Sequence, residues 1–254
     1  MPAPRSGSGP REASATPNDG ASVAPSDGVW VAGVWVIVVG GGSGRRFGGL
    51  KQYSELGGRR VIDRSIEIAV ACSEGVIAVV PADRVDDPLP GVTTVVAGGG
   101  SRSGSVRAGL AAVPEEAEVI LVHDAPRPMA DRALFERVVE AVRSGADAVV
   151  PVIEVVDTIV HLDEGTLDRS RLRAVQTPQG FAAGALRAAH AGNAESTDDA
   201  SLVERAGGRV VFVQGSTSNA KITEPFDLEV ARLRLVLGGA EFPGSGPPVG
   251  DSPS

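Results

Sequence analysis

Cysteine is almost missing from this sequence: Cys72 stands alone among 254 residues. One thiol cannot close an internal disulfide, so the disulfide-stapled class is excluded and a reducing cytoplasm is the expected compartment. Histidine is nearly as scarce. His123, His161 and His190 lie far apart, in neither a His-x-His nor a His-Glu-x-x-His pattern, which argues against zinc and leaves a hard cation or none. Basic residues are outnumbered, 24 against 32 acidic, giving a formal net charge of -8. Without a basic field, nonspecific nucleic-acid binding is not expected, and any anion site must be a local gathering of Arg and Lys. Residues 1–28 contain no apolar run of the length a signal peptide or membrane span needs.

What the chain does have is a hydrophobic content of 42%, sufficient for one sizeable core. Proline collects at its ends. Pro2, Pro4, Pro10, Pro17 and Pro25 stand among Ser, Gly and Ala, and Pro243, Pro247, Pro248 and Pro253 close the chain. Residues 1–28 and 239–254 are therefore read as disordered tails around a single domain at 29–238.

Within that domain strands and helices alternate, the pattern of a parallel sheet with crossover helices. Val34–Val39, Val76–Val80, Thr94–Val96, Val119–Val122, Ala148–Val152 and Val210–Val213 read as strands. Helical spacing appears at Ile62, Ile66 and Ala69; at Val106, Leu110 and Val113; at Leu134, Val138 and Val142 behind the N-cap Asp131; over Ala182–Ala191 and Ser201–Ala206; and at Leu228, Ala231 and Leu235 behind Pro225. Cys72, ending the first helix, is expected to be core packing. Residues 154–173 break the rhythm. A strand-like Val155–Val160, a turn at Asp163-Glu164-Gly165 and the charges Asp168, Arg169, Arg171 and Arg173 predict a polar two-stranded arm.

In an open parallel sheet ligands bind beyond the carboxyl ends of the strands, and the segments found there share a character. The first strand runs into Gly40, Gly41, Gly42 and Gly44, then Arg45, Arg46 and Lys51. Glycine lets backbone N–H groups approach anionic oxygens, while the cations supply charge, so this loop suits a polyphosphate. It is neither a P-loop, since Lys51 lies between Leu50 and Gln52, nor a dinucleotide fingerprint, since Phe47 stands where a glycine is required. Further on come Gly98–Gly100 with Ser101, Arg102 and Ser105; His123-Asp124-Ala125-Pro126-Arg127-Pro128; and Asn219-Ala220-Lys221. Asp124 suits either a Mg²⁺ ion, which prefers carboxylate oxygen and arrives with phosphates, or the orientation of a hydroxyl. Thr158, Thr177, Thr197 and Ser201 also fit ordinary turn or capping positions.

Taken in order, Gly42-Ser-Gly-Arg-Arg-Phe47, Lys51-Gln-Tyr53, Val122-His-Asp-Ala-Pro-Arg-Pro128, Asp157-Thr158, Thr177-Pro-Gln179, Thr197-Asp-Asp-Ala-Ser201 and Asn219-Ala-Lys-Ile-Thr223 resemble the 2-C-methyl-D-erythritol 4-phosphate cytidylyltransferase family over roughly residues 34 to 237. The resemblance implies an α/β, Rossmann-like nucleotidyltransferase fold whose protruding β-arm joins two subunits, and a reaction between CTP and methylerythritol phosphate with Mg²⁺ or another divalent cation. It also implies roles. Arg46, Lys51 and Lys221 would be catalytic, the first two on the CTP phosphates and the third near the reacting phosphate. Gly40, Gly41 and Gly42 would lie against CTP, with Gly100, Arg102, Ser105 and Ala125 around cytosine and ribose. Asp124, Arg127, Thr177 and Thr197 would line the alcohol-phosphate pocket, and Thr158 and Arg169 would reach it from the neighbouring subunit of a homodimer. Asp124 would be the metal ligand.

The chain departs from the family's pattern at Val39-Gly40-Gly41-Gly42, in place of Pro-Ala-Ala-Gly, and at Gly100, which stands where an acidic residue is usual. Ribitol 5-phosphate cytidylyltransferase, similar in loops and chemistry, is an alternative reading, and a catalytically dead nucleotide-binding protein is another.

Overall fold

The computed structural model describes residues 31–42, 47–192 and 194–238. The expected tails lie outside the described residues, as does Arg46. In chain order the elements are β1 (Val34–Val39), β2 (Glu55–Leu56), β3 (Arg59–Arg60), α1 (Val61–Ala71), β4 (Gly75–Val80), β5 (Thr94–Ala97), α2 (Arg102–Leu110), β6 (Val119–Asp124) and α3 (Arg132–Arg143). There follow β7 (Ala148–Glu154), β8 (Val160–His161), β9 (Gly165–Thr166), β10 (Arg173–Val175), β11 (Gln179–Ala182), α4 (Ala183–His190), α5 (Ala200–Arg205), β12 (Val210–Gln214) and α6 (Pro225–Gly238).

A β-branched run with no polar alternation is stable only where both faces are covered, and β1 occupies such a place. It pairs in parallel with β4 on one side and β6 on the other, and β5 extends the sheet in parallel beyond β4. Successive side chains point to opposite faces. Val34, Val36 and Val38, with Val76, Ala78 and Leu121, therefore meet Ile62 and Ile66 of α1 and Leu134, Phe135 and Val138 of α3. Ile37, Ile77, Val79, Ile120 and Val122 meet Val106 and Leu110 of α2, Leu186 of α4 and Val203 of α5 on the other face. Each such Val, Leu, Ile or Phe side chain contributes about 1.5–3 kcal/mol on full burial. α2 comes close to the sheet because residue 109 is glycine: a Cβ there would stand 2.5 Å from Ile37 Cγ2. The expected stripe of α6, Leu228, Ala231 and Leu235, packs on Leu56, Val61 and Ile222 in a separate small cluster.

The sheet is mainly parallel, with one insertion the sequence did not announce. β11 runs antiparallel between β6 and β7, and β10 pairs antiparallel with the far end of β7. β12 pairs in parallel with the opposite edge of β7. The segment 173–182 carries no apolar period because it is two short strands interrupted at Gln176-Thr177-Pro178. Smaller differences concern element ends. β6 continues through His123 and Asp124, paired with Val38 and Val39, so Asp124 closes the strand rather than following it. α2 stops at Leu110, and Val113 is buried just beyond it.

The arm also differs in detail. Residues 155–159 are not a strand; the hairpin is β8 with β9, of two residues each, turning at Gly165 with φ +88°. Nor is it simply polar, since Val156, Val160 and Leu162 are exposed.

Candidate active site

Four strand ends and one loop make the floor of the site, and backbone hydrogen bonds lock the strand ends together. Gly40 N donates to Val79 O at 2.7 Å, Gly98 N to Val80 O at 2.7 Å and Ala125 N to Val39 O at 3.0 Å. The two glycine loops thereby touch: a Cβ on Gly41 would meet Gly98 Cα at 3.5 Å and Ser105 Oγ at 3.4 Å, whereas around Gly42 and Gly100 there is open space. At Gly40 an added Cβ would meet Ile62 Cδ1 at 3.0 Å and Val79 O at 3.3 Å. Buried Gln52 fixes the first loop, its Nε2 donating to Gly40 O at 2.6 Å and Gly42 O at 3.1 Å. Lys51, next to it, opens a short 3-10 turn and is half-buried. Ser65 Oγ donates to Ala125 O at 2.7 Å and holds the loop after β6 against α1.

Asp124 is the centre of charge. Its Oδ2 accepts from Lys221 Nζ at 2.6 Å, and its Oδ1 lies 3.6 Å from Arg102 Nη2. Burial would raise its pKa, but Lys221 and Arg102 outweigh that and bring it down to about 2. It is therefore a carboxylate at any working pH. Burial works against the Arg102 charge as well, yet Asp199 and Asp124 overcome it and raise its pKa.

Lys221 itself is exposed, and its loop is tied down by neighbours. Arg127 is 9% exposed and donates through Nη1 to Asn219 O at 2.8 Å and through Nη2 to Val175 O at 3.1 Å. Asn219 Nδ2 donates to Thr177 O at 2.8 Å, Gln176 Nε2 to Ser216 O at 2.8 Å, and Ile222 N to Pro126 O at 2.8 Å. Thr177 Oγ1 accepts from Asp124 N at 3.0 Å. The same oxygen lies 3.2 Å from His123 Nδ1, so hydroxyl and imidazole share a hydrogen bond. Burial, reinforced by Arg127, pushes the His123 pKa down to about 4, against the pull of Asp124, so the ring is neutral.

The structure thus gathers Gly41, Gly42, Arg102, Ser105, Asp124, Ala125, Thr177 and Lys221 at one end of the sheet. Arg127 is there too, its guanidinium holding backbone carbonyls. Thr197 is exposed on the segment 194–199, which lies along α2: Ser103 Oγ donates to Ser196 O at 3.0 Å, and Arg107 Nη2 donates to Glu195 at 2.7 Å. Thr158 and Arg169 sit apart on the arm, where Arg169 donates to Val156 O.

Four residues that build this site carry no signal by type alone. Gln52 and Asn219 belong to motifs in which Lys51 and Lys221 draw the eye, Gln176 stands just ahead of the Thr177 motif, and Asp199 reads as part of a capping run. His190 also proves to be near the site. It is buried, with Nε2 3.1 Å from Asp199 Oδ1.

Comparison with known proteins points one way. A sequence profile described as 2-C-methyl-D-erythritol 4-phosphate cytidylyltransferase matches residues 34–236. A protein of that name from Rhodococcus opacus is 46% identical over 220 residues, covering 82% of this chain and 96% of its own. One from Nocardia farcinica is 43% identical over 226 residues, covering 84% and 96%. The crystal structure of 2-C-methyl-D-erythritol 4-phosphate cytidylyltransferase from Thermus thermophilus superposes with a TM-score of 0.70 at 31% identity, covering 79% of this chain and 98% of that one.

Proposed function

Because the chain belongs to the 2-C-methyl-D-erythritol 4-phosphate cytidylyltransferase family, we infer that it transfers the cytidylyl group of CTP to 2-C-methyl-D-erythritol 4-phosphate. Pyrophosphate leaves, and 4-diphosphocytidyl-2-C-methyl-D-erythritol is formed, a step of non-mevalonate isoprenoid precursor synthesis. The observation that carries this reading is the cluster Arg102–Asp124–Lys221 at the carboxyl ends of parallel strands, beside two touching glycine loops.

In this reading a phosphate oxygen of the alcohol attacks the α-phosphorus of CTP. A bond forms between them as the bond from that phosphorus to the oxygen bridging to the β-phosphate breaks. Both reactants are anions, so the protein must neutralise charge and align oxygens. Lys51 and Arg46 serve the CTP phosphates and Lys221 the reacting phosphate, while Gly40, Gly41 and Gly42 lie against CTP and Gly100, Arg102, Ser105 and Ala125 bound the nucleoside. Asp124, Arg127, Thr177 and Thr197 shape the alcohol side. No general base is needed, because the second pKa of a phosphate monoester is about 6 and the acceptor is already largely dianionic.

A divalent cation fits this site in chemistry. The described residues contain no cluster of three or more metal-binding side chains, but Mg²⁺ is commonly held by one or two carboxylates with substrate phosphates and water. Asp124 is the residue that would hold it, and the ion would supply further neutralisation of the phosphate oxygens.

The same reading includes a homodimer in which Thr158 and Arg169 complete the partner's site, supported by the exposed apolar arm. It also includes a cytoplasmic location and dispensable tails; among the described residues no helix is long and apolar enough to cross a membrane. The test is pyrophosphate release from CTP with methylerythritol phosphate, with ribitol 5-phosphate, and with no acceptor. Release with the first alone is expected. Release only with ribitol 5-phosphate, or with neither alcohol, overturns the assignment.

A further inference from the structure

Asp199 has no accessible surface, yet it is charged chemistry placed directly behind the site. A carboxylate withdrawn that far from water is costly unless both oxygens are paired. Here they are. Oδ2 accepts from Arg102 Nη1 at 2.7 Å, and Oδ1 lies 3.1 Å from His190 Nε2, itself buried. Arg102 turns its other amino group, Nη2, toward Asp124 Oδ1 at 3.6 Å. One planar guanidinium therefore spans two carboxylates, one sealed in the protein and one facing the open floor.

The backbone around Asp199 is equally fixed. Ser103 and Arg107 of α2 bond to the segment ahead of it, at Ser196, Ala194 and Glu195. Arg102 is thus held from behind by an element stitched to its own helix. Lys221, the second cation on Asp124, differs: its side chain is 41% exposed, and its ion pair is with that carboxylate.

We propose that Asp199, held by His190, is a positioning residue: it fixes Arg102 beside Asp124 in the orientation that meets CTP. The proposal rests on the cytidylyl-transfer reading and deepens it. Asp199 touches neither substrate; it acts through Arg102.

The experiment is a double-mutant cycle on the full chain, with Asp199→Asn, Arg102→Lys and the pair, each assayed for pyrophosphate release and titrated with CTP alone. Asparagine keeps the shape and loses the charge; lysine keeps the charge and loses the two-sided bridge. A displaced group of this kind costs on the order of tenfold to a hundredfold. We expect each single variant to raise the KM and Kd for CTP by roughly tenfold, with the acceptor KM changed by less than about threefold, and the double variant to be no worse than the worse single. Multiplying losses in the double variant, or a lowered Tm with unchanged CTP constants, overturns the proposal. If Asp199→Asn does not fold, His190→Gln and His190→Ala take its place. Glutamine can still donate to Asp199 and should stay within about threefold of the parent, while alanine should reproduce the CTP defect. Equal CTP constants for both His190 variants and the parent overturn it. A parent protein that fails to turn over either alcohol phosphate marks the failure of the functional reading instead, separately from the cycle.

Discussion

Asp124, at the end of β6, is 7% exposed and held by two cations, whereas Leu162, at the tip of the arm, is 96% exposed. The contrast extends to their surroundings. Around Asp124 nearly every neighbour has a fixed partner: Thr177 on its backbone, Arg127 and Asn219 behind Lys221, and Asp199 behind Arg102. Around Leu162 the strands are two residues long, and Arg169 bonds to the backbone of its own arm. A two-stranded hairpin of that length is marginal by itself. The floor is therefore organised by its own chain, whereas the arm has little of its own chain to organise it. The two can be separated by experiment.

Removing a floor cation should have the largest effect. Lys221→Ala and Lys51→Ala each take away a charge from a reaction between two anions, and turnover should fall on the order of a hundredfold or more. Lys221 is exposed, so its loss should move Tm by only a few degrees. Turnover within tenfold of the parent in both variants would remove the two lysines from the mechanism.

Mixing the two regions tests whether they meet across a dimer. Arg169→Ala and Lys51→Ala, each inactive alone, can form a mixed dimer in which one site combines intact Lys51 with the partner's intact Arg169. After random exchange half the dimers are mixed and each has one whole site, so activity should return to about a quarter of the parent's. Verified exchange with no activity would mean that the arm serves its own chain's site or none.

A smaller effect belongs to the buried layer of the floor. His123 has a folded pKa lowered from 6.5 to about 4 by burial. Between those values the unfolded chain binds a proton that the folded chain refuses. Stability is therefore fully present above about pH 6.5 and declines toward pH 4, by roughly 3 kcal/mol over the interval. Asp124 acts in a lower window. Its pKa is depressed from 3.8 to about 2, so its contribution is present above the unfolded value and is lost as pH falls toward 2. Urea titrations of His123→Asn should show a flatter stability profile from pH 6.5 to 4 than the parent; parallel profiles would refute the buried neutral ring.

The same contrast explains what was legible in the sequence. Val34–Val39 and Ala148–Val152 announced themselves because burial on both faces demands apolar runs, and the stripe of α6 did so because one face is buried. Asp124 stood out because charge at the end of a buried strand is conspicuous, and Arg102 and Lys221 because they lie in segments beyond strand ends. β11 was hidden: it is four residues long with Gly180 in its middle, where Val138 of α3 packs so closely that an added Cβ would be 2.4 Å from it. The Asp199–His190 pair was hidden for another reason. Contacts between residues 97 and 9 positions apart leave no local period, and a lone histidine reads as core. The arm was legible as an interruption, but its Val155–Val160 run looked like a strand, whereas residues 155–159 lie outside any strand.

The smallest effect on the folded chain should come from the arm's tip. Leu162 at 96% exposure buries almost nothing within the described chain, so Leu162→Ser should change unfolding free energy by less than about 0.5 kcal/mol. If the arm is covered by a second subunit, the same leucine is worth about 1.5–3 kcal/mol in that contact on full burial, and its loss should weaken dimerisation by roughly tenfold or more. Sedimentation at a series of concentrations distinguishes the two quantities, because a monomer's unfolding does not depend on concentration while a dimer's dissociation does. Activity should then fall on dilution in Leu162→Ser at concentrations where the parent is still fully active, and should be restored by concentrating the protein. A variant that dimerises as tightly as the parent would show that Leu162 lies outside the contact. A variant that unfolds would show instead that the tip packs on its own chain, and the division between a self-organised floor and a partner-organised arm would fail at this residue.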